Sequence, residues 1–232
     1  ENYETMSSVD QKNAKKALEK LISKVEKRDF LTKEAVTVIE QYLKLPVWEH
    51  RHEVYSIWVC ALIVSKVPDK WLSFHVKDNI LSFPFSGACI VSISVDGMQY
   101  DVWTELRTKA IGKLQGEGRE NAIQPDYSIV CGNPQNPNNS IVVIECKQYK
   151  RPKYKNFADA IIDYAVNRPK AKILLVNYGN INVDTLKRKI TIPEKRYLPF
   201  AICRPDSEMA EKFSDTVMLA VKEKRLINID LE

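Results

Sequence analysis

Asp126, Glu145 and Lys147 are the side chains of this sequence whose types and spacing could do chemistry together. Asp126 opens the short apolar run Tyr127-Ser128-Ile129-Val130, and Glu145-Cys146-Lys147 closes a second, Ile141-Val142-Val143-Ile144. Successive side chains of a strand alternate faces, so Glu145 and Lys147 point one way and Cys146 the other. If the two runs pair as a hairpin, Asp126 comes close to Glu145. Two carboxylates and an ammonium then meet at the end of a water-poor sheet, an arrangement that is costly unless a cation sits in it. Pro-Asp alone says little, because it recurs at 68–69 and 205–206, where it reads as a helix stop and a helix start. Glu-x-Lys occurs once in the chain. An ordinary ion pair on an edge strand is the plainer reading of Glu145 and Lys147. The apolar run before them argues against it, since it implies a central strand where charge is disfavoured.

The elements that must position this trio follow from periodicity. Residues 8 to 45 read as helical, broken at Arg28-Asp29-Phe30-Leu31-Thr32 and ended by Pro46, a modest apolar stripe without catalytic residues. A further helix runs from Trp48 to Lys66, strongly apolar in its second half. Strand-like segments follow at 72–83, 88–95 and 99–107, the last two joined by Asp96-Gly97. Gly112, Gly116 and Gly118 mark a polar, mobile loop with no strand-to-helix junction to cradle phosphate. The hairpin strands are expected at 126–131 and 140–148, and Asn156 as the cap of the next helix. A buried strand at 172–178, a short helix around 183–189, a strand at 197–203 and a closing helix at 206–225 complete the chain. This order gives an α/β sandwich around a mixed sheet, 47–232, preceded by a helical extension, 1–46.

Composition fits a soluble globular protein, with 44% apolar and 28% charged residues. The longest apolar run near a helix, Val54 to Val64, is too short to cross a bilayer, so no membrane is expected. The N-terminus is polar, without a signal-peptide pattern, and the lack of an initiating Met is expected of an excerpt from a longer polypeptide. Five scattered cysteines with no C-x-x-C pair argue for a reducing, cytoplasmic setting and against a zinc ribbon. His50 and His52 lie two apart on a helix, a poor metal pair. His75 is isolated in the text, and no Ser-His-Asp or Cys-His pairing emerges. The net charge of +5 is uneven: residues 146–200 hold 13 Lys or Arg against 4 Asp or Glu, a local +9, leaving −4 for the rest. A cationic surface beside an acidic pocket suits a polyanion passing a metal site, although a lysine-rich solvated face carries the same charge. Lys150, Arg151, Lys153 and Lys155 interleave with Tyr149 and Tyr154, as a phosphate-contacting track with stacking rings would.

Pro125-Asp126, Glu145-Cys146-Lys147, the Glu-bearing helix before them and the helix–strand pair after them resemble the PD-(D/E)xK nuclease superfamily. Within it the chain is similar to nuclease modules of prokaryotic restriction and phage-defence systems, over about residues 48 to 180. The resemblance implies a restriction-endonuclease-like fold and Mg²⁺- or Mn²⁺-dependent hydrolysis of DNA phosphodiester bonds leaving a 5′-phosphate. It implies metal ligands at Asp126, Glu145 and the backbone carbonyl of Cys146, with Lys147 as the catalytic lysine. Glu53 matches the acid that many members place on the first core helix, and Glu105 is the fallback. Gln148 stands where related enzymes often carry a polar residue. Expected partners are DNA and a regulatory domain or subunit of a larger assembly, with self-association left open. The alternative is a nuclease-fold module that binds nucleic acid or protein without cutting; a third possibility is a helical interaction domain with an incidental Glu-x-Lys.

Overall fold

The β-branched runs become strands and the 3.6-period segments become helices. A computed structural model describes residues 16, 51–77, 80–84, 86–116 and 121–229. Apart from Lys16, the helical extension expected over 1–46 lies outside them, as does His50. In chain order the elements are α1 (Arg51–Val64), β1 (Leu72–Phe74), β2 (Ala88–Val95), β3 (Met98–Thr104), β4 (Thr108–Lys109), β5 (Ala122–Ile123), β6 (Tyr127–Val130), β7 (Ser140–Lys147), α2 (Tyr154–Asn167), β8 (Lys172–Asn177), α3 (Val183–Lys187), β9 (Tyr197–Phe200) and α4 (Glu208–Ile229).

Seven strands form one mixed sheet in the order β1-β2-β3-β6-β7-β8-β9, while β4 and β5 pair separately. Pairing is antiparallel from β1 to β7 and parallel from β7 through β9. Alternation along β7 and β8 sorts the core into two layers. Val142, Ile144, Leu174 and Val176 pack with α1 and α4, while Val143, Ile173 and Leu175 pack with α2 and α3. Apolar residues on both faces are what a sheet covered by helices on both sides requires. The architecture is therefore a mixed α/β sandwich.

Two departures from the sequence reading concern segment ends. Residues 75–83 are not a strand: β1 stops at Phe74, and an isolated bridge joins Lys77 to Ile80. The helix after Lys147 starts at Tyr154 with Lys153 at its N-cap and no side-chain cap, so Asn156 sits inside the first turn rather than at its head. A third departure concerns the glycine-marked loop. Its described part is pinned to α2, for the backbone N–H groups of Gln115 and Gly116 donate to the buried Asp163 carboxylate at 2.7 and 3.0 Å. Ile111 N–H donates to Asn167 Oδ1 at 2.6 Å. The β4–β5 ribbon closes its base, and Gly118 lies outside the described residues. Among the described buried side chains that lack such a partner, one is charged. Arg168, at the end of α2, is fully buried, and none of its three guanidinium nitrogens has a hydrogen-bond partner. Burial lowers its pKa to about 10, and the structure offers no account of why it is retained.

Candidate active site

β6 and β7 pair antiparallel with Tyr127 opposite Ile144, so the next residues outward, Asp126 and Glu145, stand across from each other at the sheet's end. Asp126 Oδ2 accepts the Cys146 backbone N–H at 2.5 Å. In a strand a residue's N–H and C=O project to the same side. The Cys146 carbonyl is thus on the Asp126 side of β7, while its thiol packs against the α1/α4 core. Glu145 is buried at 4% side-chain exposure. Its Oε1 lies 2.5 Å from the Lys147 ammonium, whose side chain is 23% exposed and reaches the surface. Tyr164 of α2 donates its hydroxyl to Glu145 Oε2 at 2.6 Å. The expected trio is assembled, with Glu145 and Lys147 on one face and Cys146 on the other.

A third carboxylate joins them, that of Glu105. Glu105 N–H donates to the Asp126 carbonyl at 3.0 Å, which ties the end of β3 to the start of β6. Its φ of +48° lies in the left-handed region that a non-glycine residue enters at a cost. Gly87 makes room for that kink, since a Cβ there would stand 2.8 Å from the Glu105 carbonyl oxygen. Glu53, by contrast, is exposed in the first turn of α1. That helix is fastened to β6 one turn later, where the Tyr127 hydroxyl donates to the Ser56 carbonyl at 2.9 Å. Glu53 thus lies on the expected helix, at its solvent-exposed start.

The electrostatics reflect crowding. Burial and then the Glu145 charge push the Asp126 carboxyl up to about 8, against the opposing pull of Lys147 and the Cys146 N–H. Burial and Glu145 raise Glu105 to about 7, partly offset by a Gln124 side-chain hydrogen bond and Lys147. Burial works against the Lys147 ammonium, but Glu145 and Asp126 outweigh it and hold its pKa above the ordinary value. Three carboxylates and one ammonium share this spot. Yet both Glu145 oxygens already have partners, Lys147 and Tyr164. The carboxylates are also not drawn together as tightly as a preformed cage. Among the described residues, the one trio of His, Cys, Asp or Glu with ligand atoms mutually within 4.8 Å is His75, Cys89 and Asp101, on another part of the sheet.

Beyond Lys147 the chain is held by β8. Asn177 accepts the Tyr149 N–H at 3.0 Å and donates to the Tyr149 carbonyl at 3.1 Å. Gly179 lies so close that a Cβ would fall 2.3 Å from the Tyr149 carbonyl oxygen. Gly179→Ala should therefore push this segment away and destabilise the fold by about 3 kcal/mol, as overpacking does. A chemical denaturation midpoint equal to that of the native chain would contradict this.

Gln148 is half-buried, and Lys150, Arg151, Lys153 and Lys155 are exposed between β7 and the first turn of α2. The tyrosines interleaved with them are not free platforms for bases. Tyr149 stacks on Phe157 with centroids 5.7 Å apart, and Lys153 Nζ lies 5.2 Å from the same ring's centroid. Tyr154 meets Phe157 edge-on and accepts the Asn182 N–H through its hydroxyl. Stacking is used internally, because Phe157 needs apolar cover where α2 begins.

Tyr164, Gln124 and Asn177 are the site residues that sequence reasoning passed over. Tyr164 shares an apolar helical face with Phe157, Ala160 and Ile161, where spacing alone predicts core. Its signal was the hydroxyl, since a buried tyrosine needs a polar partner for its tip.

The model of the family described as "Y4bO third domain" matches residues 50–222. The uncharacterized protein y4bO of Sinorhizobium fredii (strain NBRC 101917 / NGR234) is 32% identical over 143 residues, 62% of this chain and 23% of that protein. The chain thus matches less than a quarter of this relative's length. No solved structure matches it.

Proposed function

This chain belongs to the Y4bO third-domain family, and we propose that it is a restriction-endonuclease-like domain that hydrolyses DNA phosphodiester bonds with Mg²⁺ or Mn²⁺. The observation that carries the reading is the convergence of Asp126 and Glu145 across the β6–β7 end, with the Lys147 ammonium 2.5 Å from Glu145. A helical interaction domain with an incidental Glu-x-Lys gives no reason for that meeting.

The donor set fits a hard divalent cation, because carboxylate and carbonyl oxygens are what such ions take. Crowding supports the fit: burial first, and then the Glu145 charge, keep Asp126 and Glu105 from ionising, and a cation would oppose both. Asp126, Glu145 and the Cys146 carbonyl would hold the ion, with Glu105 as the additional acid. When bound, the ion supplies polarisation of a phosphate oxygen and a water of lowered pKa. Lys147, loosened from Glu145 Oε1, stabilises charge building on phosphorus or orients the attacking water. Tyr164 keeps Glu145 aimed by holding its other oxygen. The small share of y4bO that is matched is consistent with one module of a larger protein; a restriction or phage-defence setting rests on the motif resemblance alone.

Lys150, Arg151, Lys153 and Lys155 lead the DNA backbone past this point. Each phosphate neutralised contributes about 0.9 to the salt dependence of binding. Replacing all four by Ala should lower the slope of log K against log salt by roughly 3.6, read by fluorescence anisotropy on duplex DNA. An unchanged slope would place the DNA elsewhere.

One observation favours a second reading, a nuclease-fold module that binds without cutting: Glu145 is already satisfied by Lys147 and Tyr164. Incubating the chain with duplex, single-stranded and branched DNA and with RNA decides between them. Cleavage in Mg²⁺ or Mn²⁺, stopped by chelation, is expected. Binding without cleavage of any substrate in either metal would select the second reading.

A further inference from the structure

We propose that His75, Cys89 and Asp101 form a second metal site, for a thiophilic divalent ion such as Zn²⁺, independent of the acidic cluster and of the nuclease reading. The three come from consecutive neighbours in the sheet. His75 follows β1, and its N–H donates to the Ile90 carbonyl at 2.9 Å. Cys89 lies on β2 opposite Trp103, and Asp101 lies on β3 opposite Ser92. A register shift between Cys89 and Val91 lets Ile90 and Val91 both join the α1/α4 core while Cys89 turns to the other face. Asp101 shares that face, being flanked by Tyr100 and Val102, which also belong to the core.

One ligand atom from each residue lies within 4.8 Å of the other two. His75 is exposed, and Cys89 and Asp101 are half-buried, so the group opens to solvent on one side. Imidazole, thiol and carboxylate together suit Zn²⁺, whereas Mg²⁺ has little use for sulfur or nitrogen. Supporting contacts of the kind that orient metal ligands are in place. Ser92 Oγ lies 2.8 Å from His75 Nε2 and donates to Asp101 Oδ1 at 2.6 Å, and Gln99 Nε2 donates to the same oxygen at 2.8 Å. An ion would displace the thiol proton of Cys89 and leave a fourth position open. Its structural effect is plain: the three-residue edge strand β1 becomes fastened to β2 and β3. A nucleophilic role fits less well, because burial, then the Asp101 carboxylate, push the Cys89 thiol up to about 11, far from a ready thiolate.

The test uses the whole 232-residue chain and the metals themselves. One equivalent of Zn²⁺ should be taken from a competing chelator dye, and Co²⁺ should give a near-ultraviolet thiolate-to-cobalt band. Cys89→Ser should abolish the band. His75→Ala, at an exposed position, should fold normally by circular dichroism and weaken Zn²⁺ binding roughly tenfold or more. Asp126→Asn should leave both signals intact. The proposal is overturned if Co²⁺ gives no such band, if the band survives Cys89→Ser, or if His75→Ala binds Zn²⁺ as tightly as the native chain.

Discussion

Asp126→Asn and Lys147→Ala are each expected to lower Mg²⁺-dependent DNA cleavage roughly a thousand-fold, the scale of removing a positioned charge from a developing anion. The two should differ in every other respect. Asp126 is one of three carboxylates competing for a single ammonium, and burial and Glu145 already drive it toward its neutral form. Asparagine keeps the shape and an oxygen for the Cys146 N–H, so the folded chain should become more stable near neutral pH. Lys147 is the partner that keeps buried Glu145 tolerable, and stranding a buried charge costs about 3–5 kcal/mol. Lys147→Ala should therefore melt earlier than the native chain, and its rate must be taken well below its own midpoint. Tyr164→Phe supplies the contrast. It removes a hydrogen bond to Glu145 Oε2 without touching charge, so it should raise the Mg²⁺ concentration needed for half-maximal rate about tenfold and spare the rate at saturation. Initial rates on supercoiled plasmid across a Mg²⁺ titration read all three. Native rates in Asp126→Asn at saturating Mg²⁺ would remove Asp126 from the chemistry.

What could be read from the sequence was the part encoded locally. The runs 127–130 and 140–147 are β-branched and apolar, and alternation alone puts Glu145 and Lys147 on one face. The pairing partner of Asp126 followed from their being adjacent in the text. Glu105 was harder, because its place depends on a left-handed backbone at the end of β3 and on the room that Gly87 leaves for it. Neither has a periodic signature. Periodicity put Glu53 on the right helix, but how α1 docks is fixed by the Ser56–Tyr127 contacts, which no local pattern announces. The hydrogen bonds of the loop's described part were illegible for a similar reason: Gly and polar residues signal a turn, whereas Asp163 and Asn167, 40 or more residues away, supply the acceptors. His75 and Cys89 looked isolated because the contact that unites them with Asp101 is made by register between strands, including a bulge.

These placements share a cause. Helices on both faces dry β7 and β8, and Glu145 and Lys147 are the first charged side chains met along β7. A site there gains strong electrostatics from the same burial that makes its carboxylates reluctant to ionise. The Lys147–Glu145 pair relieves part of this conflict, and on the proposed reading a divalent ion would relieve more of it.

Stability without metal should accordingly fall as pH rises from about 4 to about 8, the opposite of the usual behaviour of paired carboxylates. An unfolded Asp loses its proton near pH 4, whereas Asp126 in the fold retains it until about 8, and Glu105 until about 7. Between those limits the folded chain binds more protons than the unfolded one, so each step up in pH favours unfolding. Below the window both states are protonated, and above it the loss is complete. Lys147, raised above its ordinary value, stays charged throughout and adds no slope here. The total effect should be on the order of a few kcal/mol. Mg²⁺ binds the ionised carboxylates, so it should restore stability most at alkaline pH, by about 2.7 kcal/mol at a hundred times its Kd, and much less at pH 5.5. Asp126→Asn should flatten the profile and shrink the Mg²⁺ gain together. Urea midpoints at pH 5.5, 7 and 8.5, each with and without Mg²⁺, measure all of it. A midpoint that climbs with pH, or a Mg²⁺ gain equal at both ends, would mean that these carboxylates neither crowd one another nor receive the ion.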